Sequence, residues 1–208
     1  MANPMPIRIA LLSVSDKTNL VSFAQCLVQH GVTILSTGGT ASTLSRSGIT
    51  VKPIEQVTGV PEMMDGRIKT LHPKVHGGLL AVRDNPDHQQ AMELHGIKAI
   101  DLVCINLYPF EQTIASPQVR DSEAIEQIDI GGPTMIRSAA KNHRFVTCIT
   151  DPAQYDPVIN ELGAQDGATS LELRRQLAAT AFARTCQYDS AIATWLKRRN
   201  NEQVISRL

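Results

Sequence analysis

Along its first half the chain alternates short apolar runs with stretches in which apolar residues return every three or four positions. Ile7–Leu12 is the first run, and Ser13-Val14-Ser15-Asp16-Lys17 follows it. Leu20, Phe23, Ala24, Leu27 and Val28 then share one helical face, which Gly31 closes. Val32–Leu35 predicts a second strand. Ser36-Thr37-Gly38-Gly39-Thr40 leads into a helix over Ala41–Ser47, Gly48 ends it, and Ile49–Ile54 predicts a third strand. Strand–helix alternation of this kind specifies a parallel sheet with right-handed crossovers.

Further along, Pro86–His95 predicts a helix and Leu102–Asn106 a fully buried strand. Pro133–Lys141 predicts another helix with proline in its first turn, and Val146–Ile149 a further strand. Thr169-Ser170-Leu171-Glu172 has capping-box spacing and opens a long helix running towards Lys197. No internal repeat or composition break interrupts the chain. The reading is one α/β domain over 1–208, with 1–6 as a tail and about 170–200 as a C-terminal helical extension.

One segment obeys neither period. In Asp65-Gly66-Arg67-Ile68-Lys69-Thr70-Leu71-His72-Pro73 only Ile68 and Leu71 suit a core, and Pro73 reads as a break. Arg67, Lys69 and Thr70 supply a planar fork, a point charge and a hydroxyl, a set that suits phosphate or another anion. A solvated basic loop is the alternative reading.

Composition narrows the partner. Lys+Arg and Asp+Glu are both 20 in 208 residues, for a formal net charge of +0. That balance lacks the basic surplus of a nucleic-acid binder, so a local cation cluster points to a small anionic ligand. Cys26, Cys104, Cys148 and Cys186 form no C-x-x-C pair; the first three sit in apolar runs and read as reduced core residues. Neither a signal-peptide pattern nor a bilayer-length apolar run is present, so cytoplasm without a membrane partner is expected.

The glycine-rich Ser36–Thr40 stretch lies between a strand and a helix, where an open α/β sheet binds ligands. Its amides and hydroxyls can donate to phosphate oxygens, though it is neither a Walker A loop nor G-x-G-x-x-G. Ser13–Lys17 occupies the equivalent junction after the first strand, and Asn106 and Tyr108 follow the Leu102 strand onto the same rim. Ile128-Asp129-Ile130-Gly131-Gly132-Pro133 is a second Gly-Gly loop entering a helix, suited to an anion or oxyanion. Burial would raise the Asp129 pKa, and Lys141 on the following helix is the candidate opposing cation. Tight turns and a structural ion pair are the alternatives. His72 and His76 have i, i+4 spacing, but no third ligand accompanies them, so no metal is expected.

These motifs occur in one order: Ser13–Lys17, Ser36–Thr40, Pro61–Pro73, Asn106–Phe110, Asp129–Pro133 and Ala139–His143. In that order they resemble the inosine monophosphate cyclohydrolase domain, the N-terminal half of the bifunctional purine biosynthesis enzymes, over about residues 7–200. The resemblance implies a three-layer α/β fold like methylglyoxal synthase, with a mainly parallel central sheet. It implies closure of 5-formamidoimidazole-4-carboxamide ribotide to inosine monophosphate with loss of water, without metal, nucleotide cofactor or ATP. By the same resemblance Ser13, Ser15, Lys17 and Ser36, Thr37, Gly38, Gly39 and Thr40 hold the 5′-phosphate. Arg67 and Thr70 bind substrate, and Asn106, Ile130 and Gly131 line the base. Lys69, Tyr108, Asp129 and Lys141 are the implied catalytic residues.

The chemistry asks for a group to accept the amide proton and another to serve the formyl oxygen. Asp129, tuned by Lys141, is assigned the first task, and Lys69 with Tyr108 the second; the assignments are exchangeable. The family's proteins continue into a transformylase domain, whereas this chain ends at Ser206-Arg207-Leu208. No transformylase activity is therefore expected, and a homodimer or a separate transformylase is the expected partner. The competing readings are methylglyoxal synthase, on the same fold, and a regulatory module that binds a nucleotide or phosphosugar without turnover.

Overall fold

The computed structural model describes residues 4–205, with side chains described through residue 199. Residues 1–3 of the expected tail, and Ser206-Arg207-Leu208, lie outside the described residues.

Strand β1 (Met5–Pro6) precedes β2 (Ile9–Val14), α1 (Leu20–Gln29), β3 (Thr33–Ser36), α2 (Gly38–Arg46) and β4 (Val51–Pro53). Short helix α3 (Ile54–Thr58) follows without a break. After the 65–72 segment come α4 (Pro73–Leu80), α5 (Pro86–Leu94), β5 (Leu102–Asn106), α6 (Phe110–Ile114) and α7 (Asp121–Glu126). Helix α8 (Gly131–Lys141), β6 (Thr147–Ile149), α9 (Tyr155–Ala164), β7 (Ala168–Thr169) and α10 (Leu171–Ile205) complete the order.

The five-stranded sheet has the order β4-β3-β2-β5-β6, and every pairing in it is parallel. Its side chains obey the period of two that strands impose. Ala10, Leu12 and Val14 of β2, with Leu102 and Cys104 of β5, face the core formed with α1, α2 and α9. Leu11, Val103 and Ile105 face the opposite core, where α4, α8 and α10 pack. The result is the expected three layers. Truncating a wholly buried Leu11 or Leu12 to alanine would cost about 2–5 kcal/mol.

Several local readings shift. Pro73 starts α4 rather than breaking a turn: it is the first helical residue, and His72 Nδ1 accepts the Lys74 N–H as the N-cap. Helix α10 begins one residue later than its capping-box spacing suggests. Ser170 Oγ accepts the Leu173 N–H, while Thr169 is buried against Thr147. Met5–Pro6, assigned to the tail, pairs antiparallel with Ala168–Thr169. Buried Arg174 donates to the carbonyls of His143, Arg144 and Thr169, fastening the start of α10 to the edge of β6. Cys104 and Cys148 are buried and Cys26 is half-buried, all as free thiols.

This topology decides where a ligand fits. Strand β2 pairs with β3 on one side and β5 on the other, and the chain reverses direction across the sheet at that point. Open parallel sheets bind ligands outside the carboxyl ends of strands at such a switch.

Candidate active site

The carboxyl ends of β2, β3 and β5 open into a cleft of about 480 Å³, within the range of small-molecule sites. One wall is the β3–α2 junction. Thr37 caps α2 in extended conformation without bonding its side chain to the helix, so the first-turn amides face the cleft unclaimed by a cap. The Thr37 hydroxyl instead meets Ser13 Oγ at 2.8 Å. Thr40 Oγ1 both accepts from Val14 N (2.9 Å) and donates to Val14 O (3.0 Å), locking α2 onto the end of β2. Gly38 has φ +44°, which favours glycine, and leaves the helix terminus open to an anion.

The β2–α1 loop is shaped by Asn106. Its Oδ1 accepts the Ser15 N–H at 2.6 Å and the Asp16 N–H at 2.9 Å, and its Nδ2 donates to Asp16 O at 2.9 Å. The register Val14↔Asn106 brings this carboxamide under the loop. Lys17 curls back, donating Nζ to Ser15 O at 3.2 Å.

The opposite wall is the 65–70 strip and the start of α8. Met64 and Asp65 both take left-handed backbone conformations, with φ 52° and 53°, at the turn that launches the strip. Such strained positions persist where surrounding structure holds them, often at functional sites. Lys69 Nζ comes within 3.4 Å of a Cβ position on Gly38 and 3.2 Å of one on Gly66. Thr70 is buried against Gly131, where a Cβ would fall 2.5 Å from Thr70 Oγ1. Arg67 pairs with Glu126 at the end of α7, and both line the cleft.

Asp129 stands just ahead of α8, and its Oδ1 accepts the Gly132 N–H at 2.8 Å. Burial raises its pKa above the ordinary 3.8; the Gly132 and Tyr108 amides and the Lys69 charge oppose the rise. Burial also raises the Tyr108 pKa, and the neighbouring Asp129 adds to the effect. Tyr108 is thus a protonated donor at neutral pH beside a carboxylate of increased basicity. Ile130 is exposed on the lip, offering an apolar surface.

Fifteen of the seventeen sequence-derived positions line this cleft: Ser13, Ser15, Lys17, Thr37, Gly38, Gly39, Thr40, Arg67, Lys69, Thr70, Asn106, Tyr108, Asp129, Ile130 and Gly131. Ser36 and Lys141 do not. The Ser36 hydroxyl is wholly buried and donates to Leu12 O at 2.7 Å, closing the β2–β3 pair. Lys141 ends the 11-residue α8, about 15 Å along the axis from the Asp129 end. It lines a second cavity with Leu80, Arg137, His143 and Phe182, and the cation tuning Asp129 is Lys69. Asn106 lies in the cleft but commits its carboxamide to the β2–α1 loop. His76 meets Ser138 Oγ at 3.2 Å, and no group of three His, Cys, Asp or Glu suited to a metal occurs among the described residues. Tyr188 of α10, absent from the sequence-derived set, accepts the Asp129 N–H at 2.8 Å. Its only sequence signal is helical spacing from Arg184 and to Trp195.

Comparison with known proteins agrees with this fold. The MGS-like domain model matches residues 19–134, more than half of the chain, and the AICARFT/IMPCHase bienzyme model matches 139–207. The chain is 58% identical over 202 residues to the bifunctional purine biosynthesis protein PurH of Roseobacter denitrificans, covering 97% of this chain and 38% of that protein. It is 58% identical over 196 residues to PurH of Magnetococcus marinus, covering 94% and 37%. The chain therefore spans less than two-fifths of the length of these relatives. The crystal structure of ForH superposes with a TM-score of 0.80 at 38% identity, covering 90% of this chain and 97% of that one. Among the described residues no helix is long and apolar enough to cross a membrane. The chain belongs to the MGS-like domain family, and its C-terminal part also matches the AICARFT/IMPCHase bienzyme model.

Proposed function

We propose that this chain is an IMP cyclohydrolase of purine biosynthesis, closing 5-formamidoimidazole-4-carboxamide ribotide to inosine monophosphate. The carrying observation is that Lys69, Tyr108 and Asp129 share a nucleotide-sized cleft with an open helix terminus. The 5′-phosphate rests on Ser13, Ser15, Lys17 and the amides of residues 37–40. The base lies towards Ile130 and Gly131, with Arg67 and Thr70 beside it.

In the reaction the carboxamide nitrogen attacks the formyl carbon, a C–N bond forms and the formyl C–O bond breaks. The oxygen leaves as water, carrying one proton from the carboxamide nitrogen and one from the formamide nitrogen. Asp129, made more basic by burial, accepts the carboxamide proton. Lys69 and Tyr108 stabilise and protonate the formyl oxygen as negative charge develops there. Both reacting groups belong to one molecule, so holding them face to face supplies much of the acceleration.

Incubating the purified chain with the formylated ribotide tests the reading, with product identified by chromatography. Turnover to inosine monophosphate, lost about a hundredfold or more in Asp129→Asn, is the expected result. Binding of the ribotide without turnover would favour the regulatory reading, and would remove the cyclohydrolase one.

A further inference from the structure

The two family matches meet at one hydroxyl. Asp129 lies in the 19–134 match and Tyr188 in the 139–207 match, on α10, none of whose described residues lines the cleft. Tyr188 is wholly buried. Its Oη accepts the Asp129 N–H and donates to the Gln127 carbonyl, each at 2.8 Å. Residues 127–130 form the irregular link between α7 and α8, so these backbone groups lie outside regular secondary structure. Satisfying both with one phenol fixes the link's conformation.

The same face of α10 grips the loop that carries Tyr108. Arg184, Tyr188 and Trp195 follow helical spacing. Arg184 pairs with Glu111 of α6 at 2.7 Å, and its guanidinium lies 5.6 Å over the Tyr188 ring. Phe110 is packed edge-on between the Tyr188 and Trp195 rings, with centroids 6.1 and 5.8 Å away. Helix α6 starts two residues after Tyr108, so one helix face braces both loops bearing proposed catalytic groups.

We infer that Tyr188 is a positioning residue: its hydroxyl holds the Gln127–Asp129 backbone so that the Asp129 carboxylate faces Lys69 and Tyr108 across the cleft. Its kinetic consequence rests on the cyclohydrolase reading; its geometric consequence does not.

Tyr188→Phe removes the hydroxyl and leaves the ring packing in place. Amide exchange read by NMR is expected to accelerate at least tenfold at Asp129, while Leu11 and Val103 in the central strands stay within twofold. In the turnover assay kcat is expected to fall about tenfold, with KM and affinity for inosine monophosphate within twofold. Leu27→Ala, a truncation in the opposite core, controls for lost stability and should leave kcat unchanged. Unchanged Asp129 exchange, acceleration shared equally by the strand amides, or kcat preserved despite faster exchange would each overturn the inference. If the wild-type chain shows no turnover, the cyclohydrolase reading fails, and Asp129 exchange alone decides whether Tyr188 holds the link.

Discussion

Lys69 Nζ stands over Gly38, 3.4 Å from where a Cβ on that glycine would lie, and its charge also acts on the Asp129 carboxylate. One cation therefore connects the phosphate wall to the proton-accepting wall. Replacing Lys69 with methionine keeps most of the side-chain volume and removes the charge. A hundred- to thousandfold fall in kcat is expected from losing charge stabilisation at the formyl oxygen.

The same substitution has a directional pH signature. Asp129 must be ionised to accept a proton, so activity is lost as pH falls through its pKa. Burial holds that pKa above 3.8, and Lys69 partly restrains it. Removing the cation lets it rise further, moving the acid limb of kcat/KM to higher pH. A shift to lower pH in Lys69→Met would contradict the assigned coupling.

Asn106 separates loop shaping from chemistry. Asn106→Asp retains an acceptor for the Ser15 and Asp16 amides, loses the donor to Asp16 O, and places a negative charge beside the phosphate loop. KM for the ribotide should rise about tenfold or more, with a smaller change in kcat. Steady-state kinetics resolve the two; a selective loss of kcat would instead make Asn106 a participant at the reacting atoms.

Gly132 is a steric test of carboxylate placement. A Cβ there would fall 2.3 Å from Asp129 Oδ2 and 3.0 Å from Leu107 Cδ2. Gly132→Ala is expected to cost about 1–3 kcal/mol in stability. By displacing Asp129 it should lower kcat about a hundredfold, the scale of a 1 Å misplacement. Thermal unfolding and turnover measured together separate the effects. Wild-type kcat would show that the carboxylate position is not critical.

Lys141 offers a negative expectation. It sits at the far end of α8 from Asp129, so Lys141→Ala should leave kcat within about twofold if a single chain forms the site. A large loss of turnover with unchanged thermal stability would contradict an own-chain site and require a second copy to bring the residue in.

The parallel sheet was legible because Ile7–Leu12 and Leu102–Asn106 are short, largely apolar runs between strong turn signals, as strands buried on both faces require. Strand order was not, since register depends on pairings such as Val14↔Asn106 between distant segments. Helix α4 was hidden by Pro73, which stops a helix in its interior but suits its first position. Short α6 and α7, and α9 with Pro157 near its start, lack enough periodic turns to stand out. The cleft was legible where hydroxyls, glycines and cations departed from core periodicity. Ser36 shows the limit: its neighbours mark an anion loop, but strand geometry turns its own hydroxyl to Leu12 O. The separation of Lys141 was implicit in the predicted Pro133–Lys141 helix, whose length already carries it over two turns from its start. Tyr188 was beyond reach, because a contact spanning 59 residues to Asp129 leaves no local trace.

The most direct measurement follows inosine monophosphate formation from the formylated ribotide by the wild-type chain and Lys69→Ala, with binding of inosine monophosphate recorded for both by calorimetry. A cyclohydrolase that works through Lys69 gives wild-type turnover, a loss of at least a hundredfold in the variant, and binding retained by both. A folded wild-type chain that binds the nucleotide without closing the ring, or a Lys69→Ala variant that turns over at the wild-type rate, would contradict it.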